Sequence, residues 1–464
     1  MTRRLSIAWY FRVAVLFVAF LGAWMLYKWH LRQDPRFFRF VETPSGRTLA
    51  RVFSWHDSRP PVPFVEKRER DMTAEEIAVK RSLEAELADH LPTHRLELTD
   101  GDEWIGRVIE EDGLHVVFSE GYAESGRFTV TVPRSRIRSL APLATDPPAI
   151  SYRDVRFRME FPGLKFFKRA PFSIMTDESY FRVESTVNEL VRLYREFMVV
   201  FGPLIVNTDR GNDIQVLFFS READYRAYQE QYAPHMPNST GFYNAWVDRL
   251  VVFNQETASH VIGARRWAAE AEAAYREQYA GQPGVQEQIA DWRRRTDEDI
   301  ARFAEAQTIN TIRHEGAHQL FFSLGVHSSH RIENEWLYEG LAVYCELGRL
   351  GEKDPGRLRV LREAMEGGRL IALADLVNLR SPMGLSSVGQ HRDVDLAYAQ
   401  AWSLVHFLMY NDRRADFFDY IRHIRDPGNF KDVRRVPAMD MLSRFLDVSP
   451  SQLEAQWLEY LRGM

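Results

Sequence analysis

A single cysteine, Cys345, stands among 464 residues. That excludes an intramolecular disulfide framework and any cysteine-rich zinc site. It leaves the redox compartment open, because a chain without disulfides can live on either side of a membrane. An excess of charge of one sign is also missing. Lys and Arg number 60 against 65 Asp and Glu, a net charge of −5, so no global basic surface exists to hold a phosphate backbone and nucleic acid is not an expected partner. What is present is ordinary globular composition, 45% hydrophobic and 27% charged. The length is a prior for two to four domains at roughly 100–200 residues each.

Arg3, Arg4 and Arg12 precede an apolar run from Val13 to Tyr27, and Trp9, Tyr10, Trp24, Tyr27 and Trp29 cluster at its two ends. The run alone falls short of the roughly 20 residues that span a bilayer. Counting back to Ile7, with Arg12 snorkelling, restores the length. No small-residue cleavage pattern follows; the run leads into Met25-Leu26-Tyr27-Lys28-Trp29. The residues therefore predict an uncleaved signal anchor over 1–35, against the alternative of a buried core helix. Lys28, Arg32 and Arg36 follow the run, so charge leaves the orientation open. The expectation is a single pass with the larger side extracytoplasmic, facing the periplasm.

A hairpin is predicted over 36–56, around Pro44-Ser45-Gly46, followed by the break Pro60-Pro61-Val62-Pro63. Thr73-Ala74-Glu75-Glu76 has capping-box spacing and opens a charged helix that ends before Pro92. These pieces make up a segment 36–92. From Arg95 to Leu140 short β-type runs are punctuated by Asp100-Gly101, Asp112-Gly113 and Ser125-Gly126, which predicts a small SH3-like barrel over 93–141 that is an interaction module or a spacer. A linker, 142–150, leads into a domain over 151–464. Strands are expected at Phe172–Met175, Ile214–Phe219 and Leu250–Phe253, and an amphipathic helix at Tyr180–Phe201 stopped by Gly202-Pro203. A charged helical insertion with a break at Gly281-Gln282-Pro283-Gly284 fills 257–308. It either covers a cleft or forms a solvated helical pair. The remainder reads as mostly helical.

The chemistry is concentrated in His314-Glu315-Gly316-Ala317-His318, on a helix expected over Gln307–Phe322. Histidines at i and i+4 share one helical face, so both imidazoles can reach one metal, and Glu315 beside them can take a proton from a metal-bound water. A catalytic zinc needs a third protein ligand and an open position. The metzincin pattern would require Gly at 321 and His at 324; the chain has Phe321 and Leu324. His327 and His330 are near but lack the spacing. Glu339, in Asn334-Glu335-Trp336-Leu337-Tyr338-Glu339-Gly340, is the better candidate, on a second helix that Asn334 can cap and Gly348 can end.

His314-Glu315-x-x-His318 followed by Trp336-Leu337-x-Glu339-Gly340 resembles the gluzincin metallopeptidases, with motifs shared by aminopeptidase-N-like and leukotriene-A4-hydrolase-like enzymes. The run His314-Glu315-Gly316-Ala317-His318-Gln319-Leu320 is similar to the hallmark of a bacterial peptidase-MA-like family catalogued as a domain of unknown function (number 1570). The resemblance covers residues 165–464. It implies a thermolysin-like catalytic core with His314, His318 and Glu339 as ligands of one zinc ion and Glu315 as general base. Glu346 matches an acidic position that orients a ligand from behind. A G-x-M-E-N motif before the zinc helix is lacking, so an endopeptidase is expected rather than an enzyme reading a free amino terminus.

In aminopeptidase-like gluzincins a tyrosine downstream of the third ligand faces the oxyanion. Tyr398, 59 residues after Glu339, stands at a comparable separation and is either that electrophile or a core-edge residue. His391 is the next candidate, His406 reads as a structural histidine, and Cys345 as a small buried residue. The reading is an α+β chain: anchor, SH3-like barrel, then a gluzincin domain with a mixed sheet and a mostly helical C-terminal part. It is a membrane-anchored zinc peptidase acting on peptides or proteins, with a protein partner possible for the barrel. The alternatives are a catalytically inactive envelope-associated scaffold retaining the fold, and a metallohydrolase acting on a non-peptide bond.

Overall fold

The computed structural model describes residues 66–120, 129–143, 148–207, 213–233, 239–245, 247–328, 334–378, 392–410 and 412–464. The expected anchor over 1–35, the hairpin over 36–56, His330 and His391 lie outside them.

Thr73 opens the first described helix, α1 (Ala74–His90), through the expected capping box: Glu76 Oε2 accepts from Thr73 N at 2.8 Å and Thr73 Oγ1 accepts from Glu76 N at 3.2 Å. Leu83 and Leu87 are buried in a core shared with α2 (Tyr152–Glu160) and β6 (Lys165–Arg169). The helix that follows the Pro-rich segment therefore packs onto the domain beyond the strands. Those strands are β1 (His94–Leu98), β2 (Glu103–Glu111), β3 (His115–Glu120), β4 (Thr129–Pro133) and β5 (Ile137–Pro142). They form an antiparallel sheet in the order β4-β3-β2-β1-β5, with a 3-10 turn at Arg134–Arg136 before β5. Leu96, Leu98, Val116, Phe118 and Val132 form a small core of their own.

The second sheet is mixed, in the order β6-β7-β8-β10-β9, with β7 (Phe172–Thr176), β8 (Ile214–Phe219), β9 (Gly241–Asn244) and β10 (Arg249–Phe253). β7, β8 and β10 run parallel, and β6 and β9 close the edges antiparallel. The central strands are near-continuous apolar runs because both faces are covered. Val216 and Phe218 join one core with α3 (Tyr180–Phe201), while Leu217 and Phe219 join another with α2 and α4 (Glu222–Tyr232).

The helical region ahead of the motif differs from expectation. After α5 (Ser259–Gln278) and a break at 279–282, one helix of 41 residues, α6 (Pro283–Ser323), runs through both the charged insertion and the motif. The reason is local: between Val285 and Arg313 there is neither glycine nor proline to end it. Its N-terminal half pairs with α5, Trp292 meeting Trp267 and Tyr275 edge-on.

The rest is helical: α7 (Glu335–Glu346), α8 (Pro355–Glu366), α9 (Leu373–Val377), α10 (Arg392–Tyr410), α11 (Arg414–Arg425), α12 (Phe430–Arg435), α13 (Ala438–Phe445) and α14 (Pro450–Gly463). Two expectations for α7 are corrected. Asn334 precedes it without a side-chain cap, its Oδ1 buried and unpartnered, and the helix ends at Glu346 because Leu347, not Gly348, turns the chain extended. α7 lies tightly on α10. A Cβ at Gly340 would stand 2.7 Å from the main-chain oxygen of Ala401, a separation only glycine permits. Among the described residues no helix is long and apolar enough to cross a membrane.

Candidate metal centre

The last turns of α6 carry His314 and His318 on the face turned to α7, where Glu339 is the fifth residue. His314 Nε2 stands 3.3 Å and His318 Nε2 3.6 Å from Glu339 Oε2. One ligand atom from each of the three residues lies within 4.8 Å of the others, and no other such group occurs among the described residues. The side chains are 18%, 13% and 18% exposed. Glu339 thus lies beside the two histidines on a neighbouring helix.

Glu315 projects to the other side of the pair, toward the sheet. Its Oε2 accepts from the main-chain N–H of Tyr243 at 2.9 Å, which ties it to the edge strand β9. That strand lies close on α6, because a Cβ at Gly241 would meet Thr311 Cγ2 at 2.6 Å. Among the described residues no strand pairs with the outer side of β9.

Electrostatics follow from burial and proximity. For His314 burial opposes the charged form, but the carboxylates of Glu339 and Glu346 outweigh it and hold the imidazolium well above its ordinary range. Burial pushes Glu339 up, yet His318 and His314 carry it well below the usual carboxylate range. Glu315 is raised, its burial winning over the attraction of His314 and His318.

Glu346 sits behind the cluster, its Oε2 3.6 Å from His314 Nδ1. It accepts from Arg357 Nη2 at 2.8 Å. Tyr398 is half-buried on α10; burial, then the carboxylates of Glu339, Glu315 and Glu335, push its phenol far up. The fold therefore gathers His314, Glu315, His318, Glu339, Glu346 and Tyr398 in one place. His327 is buried against Phe321, Phe322 and Tyr338. His406 is a structural histidine, as expected, bonded at Nδ1 to Tyr460 Oη and at Nε2 to Gly351 O. Cys345 is fully buried and its thiol is pushed up by that burial.

Three participants escaped the sequence reading. Arg313, fully buried, donates to Cys345 O and to Glu196; a charge amid apolar positions of the helix was its only signal. Arg357 gave none, being one of many arginines. Tyr243 acts through its main chain, to which side-chain identity is blind.

No curated protein and no solved structure matches the chain. Residues 308–428, the span from the motif half of α6 past Tyr398, match the family described as a protein of unknown function (DUF1570).

Proposed function

We propose that the chain is a membrane-anchored zinc peptidase of gluzincin type, carried by residues 1–35 with its catalytic part on the periplasmic side. The observation that carries this reading is Glu339 Oε2, which stands 3.3 and 3.6 Å from the Nε2 atoms of His314 and His318, so that two imidazoles and one carboxylate converge on one point. Two imidazole nitrogens and a carboxylate suit zinc and leave an open position.

Bound there, a zinc ion would supply Lewis acidity to a carbonyl and lower the pKa of a water. The chain's own residues do the rest. Tyr243 N–H fixes one oxygen of Glu315, so the other holds the proton taken from water and passes it to the leaving nitrogen. Burial raises Glu315, which suits a base that must give its proton back. Tyr398 is the donor for the oxyanion. The outer side of β9, beside Glu315, offers main-chain groups to an extended peptide, the usual way a sheet edge takes a strand. A mixed sheet with an antiparallel edge above a histidine helix fits a thermolysin-like core. The β4-β3-β2-β1-β5 order with its 3-10 turn fits an SH3-like barrel, for which a protein partner is proposed.

The test uses the full-length protein and a quenched peptide library. Wild type should hold about one zinc and hydrolyse peptides; Glu315→Gln should keep the zinc while turnover falls by about 10²–10⁴. Equal turnover by both overturns the assignment of Glu315. Bound zinc without hydrolysis of any peptide would favour the inactive scaffold.

A further inference from the structure

The charged groups behind His314 form a line. His314 Nδ1 lies 3.6 Å from Glu346 Oε2, the same oxygen accepts from Arg357 Nη2 at 2.8 Å, and Arg357 Nε lies 3.4 Å from Asp354 Oδ2. Asp354 is itself fixed, because its Oδ1 accepts from Gly356 N and Arg357 N at 2.7 and 3.2 Å and so caps α8. The line runs from the first turn of α8 through the last residue of α7 to the ring of His314.

A glutamate at a helix end has several rotamers open to it, and most of them would leave His314 behind. The arginine removes that freedom. Its planar, permanently charged fork donates from Nη2 to Glu346 and stands 3.4 Å from Asp354 Oδ2 at Nε, so that it pairs in charge with both carboxylates. A histidine that binds a metal through one ring nitrogen depends on what the other nitrogen meets, since that contact sets the tautomer and the ring direction. His314 Nε2, the atom facing Glu339, is thus aimed by a chain of groups that ends outside the cluster.

We infer that Arg357 is a positioning residue of the metal centre: it holds Glu346 against His314 Nδ1 and thereby directs His314 Nε2. The inference rests on the metal reading of His314, His318 and Glu339. Arg357 acts only through Glu346.

Zinc dissociation constants of the full-length protein, read by competition with a chromophoric chelator, test it. Arg357→Met should weaken zinc binding by about 10–100-fold, and Arg357→Lys should recover part of the loss. The double variant with Glu346→Gln should be no weaker than Glu346→Gln alone, because the two act in series. Arg357→Met leaves Glu346, 16% exposed, without its partner, so the metal-free protein loses thermal stability in either role; a purely structural arginine would leave the zinc affinity alone. Unchanged affinity in Arg357→Met, or a double variant whose loss is the product of the single losses, overturns the inference while the metal reading stands. A wild type that binds no zinc overturns both.

Discussion

Arg313 donates from Nε to the main-chain oxygen of Cys345 at 2.9 Å. Each of the two residues immediately precedes a site residue, His314 on α6 and Glu346 on α7. The bond therefore joins the backbone of the second helix to the first at the level of the metal cluster. A second arm of the guanidinium, Nη2, reaches Glu196 on α3 at 2.9 Å, and Glu196 also accepts from Leu350 N at 3.2 Å. One buried cation thus fastens three segments around the site.

Replacing that cation by a shape-similar apolar group should be costly. Arg313→Met leaves Glu196 and the Cys345 carbonyl without their partner, and losing one side of a buried pair costs about 3–5 kcal/mol. Glu196 keeps some contact with water, its side chain being 25% exposed, so the lower end is expected. Urea unfolding of the metal-free protein measures it, and an unchanged midpoint would refute the bracing role.

Tyr398 lies between Ala397 and Ala399, both fully buried, and is itself only half-buried. If its hydroxyl donates to the oxyanion, Tyr398→Phe should lower kcat by about 10²–10³ with little change in KM. Zinc content and thermal stability should remain near wild type, since one oxygen is removed. Full kcat in the variant, or lost stability in its place, would make Tyr398 a packing residue.

Glu76 offers a pH test remote from the metal. Hydrogen bonds from Thr73 N–H and Tyr152 Oη, against burial and with help from Lys67, hold it down from its ordinary 4.5 to about 2. A carboxylate depressed in the folded state contributes stability above its unfolded pKa and loses it as pH falls through the folded one. The stability gap between wild type and Glu76→Gln should therefore be full above about pH 5 and shrink toward pH 2. Parallel unfolding curves across that range would show that Glu76 does not link folding to pH.

The proposed anchor predicts fractionation. With Ile7 to Tyr27 in the bilayer, the protein should stay with membranes through a high-salt wash, because apolar insertion is not screened by salt. Protease added from the periplasmic side should reach the C-terminal part. Release by salt alone would remove the anchor, and protection of the C-terminus would reverse the orientation.

The sequence by itself determined a good deal. Capping chemistry at Thr73, the stop at Gly202-Pro203 and the mainly apolar run Ile214–Phe219 are local signals, and the corresponding elements formed where those signals stand. The histidine pair was equally legible, since helical periodicity alone puts His314 and His318 on one face. The absence of a break between Val285 and Arg313 was there to be read as well, although its consequence, one helix joining the insertion to the motif, was missed. Only tertiary structure decided the rest. That Glu339 meets those two histidines depends on the crossing of α6 and α7, and Gly340 against Ala401 sets how closely α7 lies on α10. The bond from Tyr243 N to Glu315 is made by a main-chain group, and so leaves no trace in residue type. Arg357 looks on paper like any other arginine of a charged chain, and Arg313 differs only in standing amid apolar positions of its helix. Their partners lie on other helices or across a turn, and only packing reveals which charge is buried and what it holds.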